Sequence, residues 1–162
     1  MEEIVISKLD REFKYEIAAR PGAAYFKRCF SCGTCTASCP VSEIDEGFNP
    51  RLIIRQALLG LREELLSSQT LWFCTQCYTC YARCPQDVRF TDVMAVLREM
   101  AVQEGFAPAE MIQKSEQASL IAQKIRHDLA EHAWLSAKGE ETPDTAKKLQ
   151  GIVKEGLEEL EG

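Results

Sequence analysis

Cys29-Phe30-Ser31-Cys32-Gly33-Thr34-Cys35-Thr36-Ala37-Ser38-Cys39-Pro40 sets three cysteines at successive intervals of three, a fourth one step wider, and a proline directly after it. The pattern returns as Cys74-Thr75-Gln76-Cys77-Tyr78-Thr79-Cys80-Tyr81-Ala82-Arg83-Cys84-Pro85, and the two copies use all eight cysteines of the chain. This is the ligand run of cubane iron–sulfur clusters. A cubane needs one soft ligand per iron, and a triplet spaced by three lets a short loop wrap the cluster and reach three irons. The following proline turns the chain away. In two-cluster proteins the fourth cysteine of each run serves the other cluster. The sequence therefore predicts two 4Fe–4S clusters, one held by Cys29, Cys32, Cys35 and Cys84, the other by Cys74, Cys77, Cys80 and Cys39. Such crossing ties the halves of the chain together and brings the clusters within range of rapid electron exchange.

Other readings of the cysteines are weaker. Zinc sites are built from separated Cys-x-x-Cys pairs rather than a triplet followed by Cys-Pro. A disulfide framework needs an oxidising compartment, and a thioredoxin-like pair needs a βαβ pattern. Neither context is evident. The 162 residues carry a formal charge of −6 and no broad basic face, which argues against a nucleic-acid partner. Apolar runs are too short to span a bilayer, so direct membrane insertion is not expected. The start, Met1-Glu2-Glu3-Ile4, lacks the basic and apolar regions of a signal peptide, which predicts a cytoplasmic location.

Three segments are expected: a lead-in over 1–28, a cluster domain over 29–105, and a helical extension over 106–162. In the lead-in, a short strand and one or two helical turns precede the break at Arg20-Pro21-Gly22. Lys27 and Arg28, just ahead of Cys29, are either solvated surface or partial compensation for cluster charge. Between the motifs, Asn49-Pro50 reads as an N-cap with proline at the first helical position. Ile54, Leu58, Leu61 and Leu65 then recur at helical spacing, with Gly60 as a break between two helices. The clusters are thus expected on a mainly α scaffold.

Beyond Pro85, Thr91 is expected to cap a helix whose buried face is Val93, Val96, Leu97, Met100 and Ala101, ending at Gly105. Pro108 opens a long amphipathic helix closed by Lys138-Gly139, and Thr142-Pro143 starts a last one. These helices carry no cysteine and either pad the domain or dock against a partner. Phe30, Trp72, Phe73, Tyr78 and Tyr81 are expected to pack around the clusters and exclude water. His127 and His132 read as ordinary polar positions. With no nucleotide-binding glycine loop and no unassigned nucleophile, the sequence predicts no catalytic residue and points to an electron carrier.

The two cysteine runs, with Phe48-Asn49-Pro50-Arg51 and Trp72-Phe73 ahead of the second, resemble the C subunit of heterodisulfide reductase over roughly residues 9–105. That resemblance implies the α-helical ferredoxin fold. It implies two 4Fe–4S clusters relaying electrons from a flavin-containing A subunit to a catalytic, disulfide-reducing B subunit. It also implies a bifurcating complex with a hydrogenase or formate dehydrogenase upstream. The doubled run also occurs in iron–sulfur subunits of the succinate dehydrogenase, glycerol-3-phosphate dehydrogenase and glycolate oxidase type. A complex-bound subunit of another oxidoreductase and a free ferredoxin-like carrier are therefore the alternatives.

Overall fold

The computed structural model describes residues 9–161, and every regular element among them is helical. In order these are α1 (Phe13–Ala19), α2 (Thr34–Ala37), α3 (Pro40–Ile44), α4 (Pro50–Leu59), α5 (Arg62–Leu66), α6 (Thr79–Arg83), α7 (Phe90–Gln103), α8 (Met111–Lys138) and α9 (Thr145–Glu161). Short 3-10 turns cover Phe26–Arg28 and Gln69–Trp72. The chain forms two compact units, divided between Ala109 and Glu110. The strand expected before α1 would fall mainly on residues outside those described.

The first unit is built around α7. Val93, Val96, Leu97, Met100 and Ala101 are all buried, as their spacing predicts, and Met94 joins them. Phe13 and Ile17 of α1, Ala23 and Phe26, Ile53, Ile54 and Ala57 of α4, and Leu65, Leu66 and Leu71 pack into the same core, which Val41, Phe48, Cys80, Val88 and Phe90 extend toward the cysteine loops. Burying a side chain of this size contributes roughly 1.5–3 kcal/mol, so these contacts hold the many short helices that could not persist alone.

Local signals set the helix ends. The Asn49 side chain accepts the Leu52 amide at 3.1 Å, and Pro50 opens α4 with no amide to leave unpaired. Gly60, Gly105 and Gly139 close α4, α7 and α8 in the same way. Each is left-handed and donates to the carbonyl three residues back, while the next residue donates five back. Three expected starts are displaced, the simplest being α8, which begins at Met111, three residues after Pro108. Thr91 lies inside the first turn of α7, buried, because Arg89 adopts the left-handed conformation and its carbonyl accepts the Asp92 and Val93 amides. In α9 the cap is Asp144, which accepts the Lys147 amide, so the helix begins after Thr142-Pro143.

Arg62 fastens the first unit. Its Nε donates to Asp10 and one Nη to Glu104, both at 2.6 Å, while the other Nη meets Glu16, and the guanidinium lies 4.8 Å from the centre of the Phe13 ring. The second unit is an α8–α9 hairpin. Gly156 lets α9 approach Ile121, His132 pairs with the Thr145 hydroxyl at 2.8 Å, and Lys148 donates to the buried Asp128 at 2.9 Å.

Gly60 has φ +84°, and a Cβ there would stand 2.1 Å from the Asp10 carbonyl oxygen. Gly60→Ala is expected to cost about 2 kcal/mol or more, from strain and displaced backbone together. Chemical denaturation should give a lower midpoint; an unchanged midpoint would contradict the close approach.

Candidate metal centre

Each cysteine loop owes its curl to left-handed backbone at matching positions. In the first, Ser31 has φ +61° and Gly33 +84°; in the second, Gln76 has +52° and Tyr78 +59°. Such residues reverse the chain within a few atoms, turning successive cysteines toward one side. Serine, glutamine and tyrosine adopt φ > 0 at a cost of order 1 kcal/mol each. α2 and α6 begin directly after these turns and pack against each other, so the two loops stand side by side.

Two cavities lie between them. The first is lined by Cys29, Cys32, Cys35, Cys84 and Cys80. The second is lined by Cys39, Cys74, Cys77 and Cys80. Cys80 and Phe90 line both, so one layer of side chains separates the two spaces. Ile54 and Val88 wall the first, Val41 and Phe48 the second. No aspartate, glutamate or histidine lines either, and all eight thiols are free. Soft thiols in apolar pockets, without hard oxygen donors, fit sulfur-bridged iron rather than calcium or magnesium.

The matching positions of the loops also match in electrostatics. The Thr34 hydroxyl lies 3.3 Å from the Cys32 sulfur, and the Cys77 thiol donates to the Thr79 hydroxyl at 3.5 Å. Thr34, through its hydroxyl and then its amide, holds the Cys32 thiol below its usual range. At Cys77 burial opposes ionisation, but the hydroxyl and amide of Thr79 and the hydroxyl of Thr75 outweigh it, and the thiol is again lowered. Burial pushes up Cys35, Cys74 and Cys80. Each loop therefore presents one exposed cysteine already disposed to the thiolate form that binds metal, and deeper ones that ionise readily only against a cation.

Several residues around the cavities differ from the sequence expectation. Phe30 is 60% exposed and Tyr78 53% exposed, so these two stand at the mouths instead of sealing them. Water is excluded by Phe48, Ile54, Val88 and Phe90. Trp72 packs on the core, but neither it nor Phe73 nor Tyr81 lines either cavity. Lys27 and Arg28 lie on the surface over the rings of Tyr15 and Tyr25, at 4.6 and 3.9 Å. Thr91, expected as a cap, places its hydroxyl 3.5 Å from Cys80. Arg98 carried no sequence signal beyond a charge in an apolar helix. It is 4% exposed and donates to the carbonyls of Leu71 and Cys74 at 2.7 and 2.8 Å, holding the stretch of chain that enters the second loop.

In the second unit His127, Asp128 and Glu131 offer ligand atoms within 4.8 Å of one another. Lys148 already reaches two of them, Asp128 at 2.9 Å and Glu131 at 3.8 Å. An ammonium in that position makes the group an ion-pair cluster, in keeping with the polar role expected for His127. No helix among the described residues is long and apolar enough to cross a membrane.

Residues 25–88 match the family model of the 4Fe-4S dicluster domain. The chain is 46% identical over 111 residues to the C subunit of the H(2):CoB-CoM heterodisulfide,ferredoxin reductase of Methanothermobacter marburgensis, covering 67% of this chain and 59% of that one. It is 48% identical over 79 residues to the C 2 iron-sulfur subunit of the CoB--CoM heterodisulfide reductase of Methanocaldococcus jannaschii, covering 49% of this chain and 41% of the relative. Against the C subunit of the ferredoxin:CoB-CoM heterodisulfide reductase of Methanosarcina mazei it is 48% identical over 88 residues, covering 54% and 53%. The chain thus spans roughly two fifths to three fifths of the length of these relatives. It carries a 4Fe-4S dicluster domain and is a homologue of the C subunits of CoB-CoM heterodisulfide reductases.

Proposed function

We propose that this chain is the electron-relay subunit of a heterodisulfide reductase-like complex. It would hold two 4Fe–4S clusters and stand between a flavin-bearing A subunit and a catalytic, disulfide-reducing B subunit, with a hydrogenase or formate dehydrogenase upstream. The observation that carries this reading is the division of eight free thiols between two adjoining cavities. Cys29, Cys32, Cys35 and Cys84 would hold one cluster, and Cys74, Cys77, Cys80 and Cys39 the other. Cys84 supports the crossing because it lines the cavity of the first triplet, and Cys39 because it lines that of the second. Cys80 touches both spaces, and its place in the second triplet decides its assignment.

When bound, a 4Fe–4S cluster accepts and releases one electron at a time at a potential set by charge, hydrogen bonds to sulfur and solvent exposure. The protein's part is positioning and tuning. Thr34 and Thr79 donate to the outer sulfurs of Cys32 and Cys77 once these are thiolates, which favours the more negative reduced state. Arg98 fixes the Cys74 carbonyl and hence where that loop begins. The shared wall of Cys80 and Phe90 keeps the two holders adjacent. The α8–α9 hairpin, outside the cysteine-bearing unit, serves as a docking element for another subunit. It leaves Leu120, Trp134 and Leu157 more than half exposed.

Anaerobically purified protein should contain about eight irons and eight sulfides per chain and give interacting signals by EPR after dithionite reduction. Zinc without sulfide, from iron-replete cells, would overturn the reading. Cys39→Ser should damage the cluster of the second triplet and spare the first; selective loss of the first would overturn the crossed assignment. Thr79→Val should lower the potential of the second cluster by about 40 mV, the one-electron equivalent of roughly 1 kcal/mol for a lost hydrogen bond. Potentiometric EPR titration reads it, and an unchanged potential would remove Thr79 from the tuning set.

A further inference from the structure

The two cavity mouths differ in charge, although the loops behind them repeat each other. At the first, the Arg51 guanidinium lines the cavity itself, close to Gly33. A second depression beside it is lined by Ser31, Asn49, Arg51, Leu52 and Arg55. Arg51 and Arg55 are one helical turn apart on the exposed face of α4, and neither joins an ion pair among the described residues. No acidic residue lines either space. Exposed Phe30 and Leu52 flank the arginines. The second cavity is lined by no charged residue, and in the depression beside it the one charged lining residue is an acid, Glu43. On a chain of net charge −6, two unpaired guanidinium groups beside a sulfur-lined pocket and two bare apolar side chains form a local exception. A protein surface combining apolar contact with a single sign of charge selects its partner by the opposite sign.

We propose that the mouth of the first cavity docks the acidic face of a redox partner protein, with Arg51 and Arg55 as the residues that recognise it. The second mouth, neutral and led by Tyr78, then faces a different partner surface, so the charge pattern gives the relay two distinguishable ends. This inference rests on the two-cluster reading above.

The test uses the loaded full chain, reduced with dithionite and freed of excess reductant. In stopped flow it is mixed with anthraquinone-2,6-disulfonate, a dianion, or with hexaammineruthenium(III), a trication. Arg51→Gln/Arg55→Gln should slow oxidation by the dianion about tenfold at low ionic strength and leave it nearly unchanged near ~0.5 M salt. It should speed oxidation by the trication. Arg55→Gln alone, which leaves the cavity lining intact, should move both rates in the same directions by a smaller factor. Poly-L-glutamate, standing in for an acidic protein face, should inhibit the dianion reaction of the wild type and not that of the double variant. Equal slowing with both probes, no change with the dianion, or inhibition that persists in the double variant would each overturn the proposal. Iron and sulfide measured on the same samples separate the two failures: their absence sinks the cluster reading and this inference together, whereas full content with unresponsive rates sinks this inference alone.

Discussion

Two sulfur-lined cavities share a wall one side chain thick, and that wall constrains the rest of the first unit. Cys80 and Phe90 can line both spaces only if loops far apart in sequence are brought side by side. Each loop is too short and too turned to hold itself there. α2 and α6 are single turns, and neither would survive in water without tertiary support. The support comes from α7, whose buried face carries the apolar load, whose first turn supplies Phe90 and Thr91, and whose Arg98 holds the carbonyl of Cys74. α4 supports the first loop from the other side, with Asn49 accepting a hydrogen bond from the Thr36 hydroxyl.

The two loops are near copies in backbone and in hydroxyl placement, and they diverge where they meet solvent. Gly33 occupies one left-handed position without strain, while Tyr78 occupies its counterpart at a cost. The tyrosine ring gains an edge-on contact with Tyr81, their centroids 6.0 Å apart. A strained residue at the rim of a site indicates that its side chain is wanted there. The inner surfaces of the loops answer to one chemistry and remain alike; the outer surfaces answer to whatever covers them.

What could be read from the sequence was local or tied to ligand chemistry. The cysteine spacing carries the metal-binding reading because a cubane's geometry constrains a short loop directly. Asn49-Pro50, Gly60, Gly105 and Lys138-Gly139 marked helix ends because capping involves residues within a few positions of each other. The features that were misplaced or missed depend on left-handed backbone, which no side-chain pattern announces, or on distant contacts. Thr91 looks like a cap until Arg89 turns left-handed ahead of it. Arg98 drew no reading at all, because its partners, the carbonyls of Leu71 and Cys74, lie more than twenty residues away. Phe30 and Tyr78 look like core until the loop backbone points them outward. Hydrophobicity alone does not distinguish an aromatic that seals a pocket from one that frames its opening.

Arg62 has a consequence for how the first unit is threaded. Asp10 and Glu104 both bind its guanidinium, so the start of the unit's described part and the end of α7 lie within the span of one side chain. In topological terms the unit is nearly a closed ring with its seam at Arg62. A short linker across that seam would complete the ring, and the chain could be opened elsewhere, for instance at the exposed Glu46-Gly47 turn between α3 and α4. Such a permuted chain would retain the sequence of every helix and both cysteine loops while changing the order in which the loops emerge. The order of the cysteine runs along the chain is therefore separable from their meeting in space.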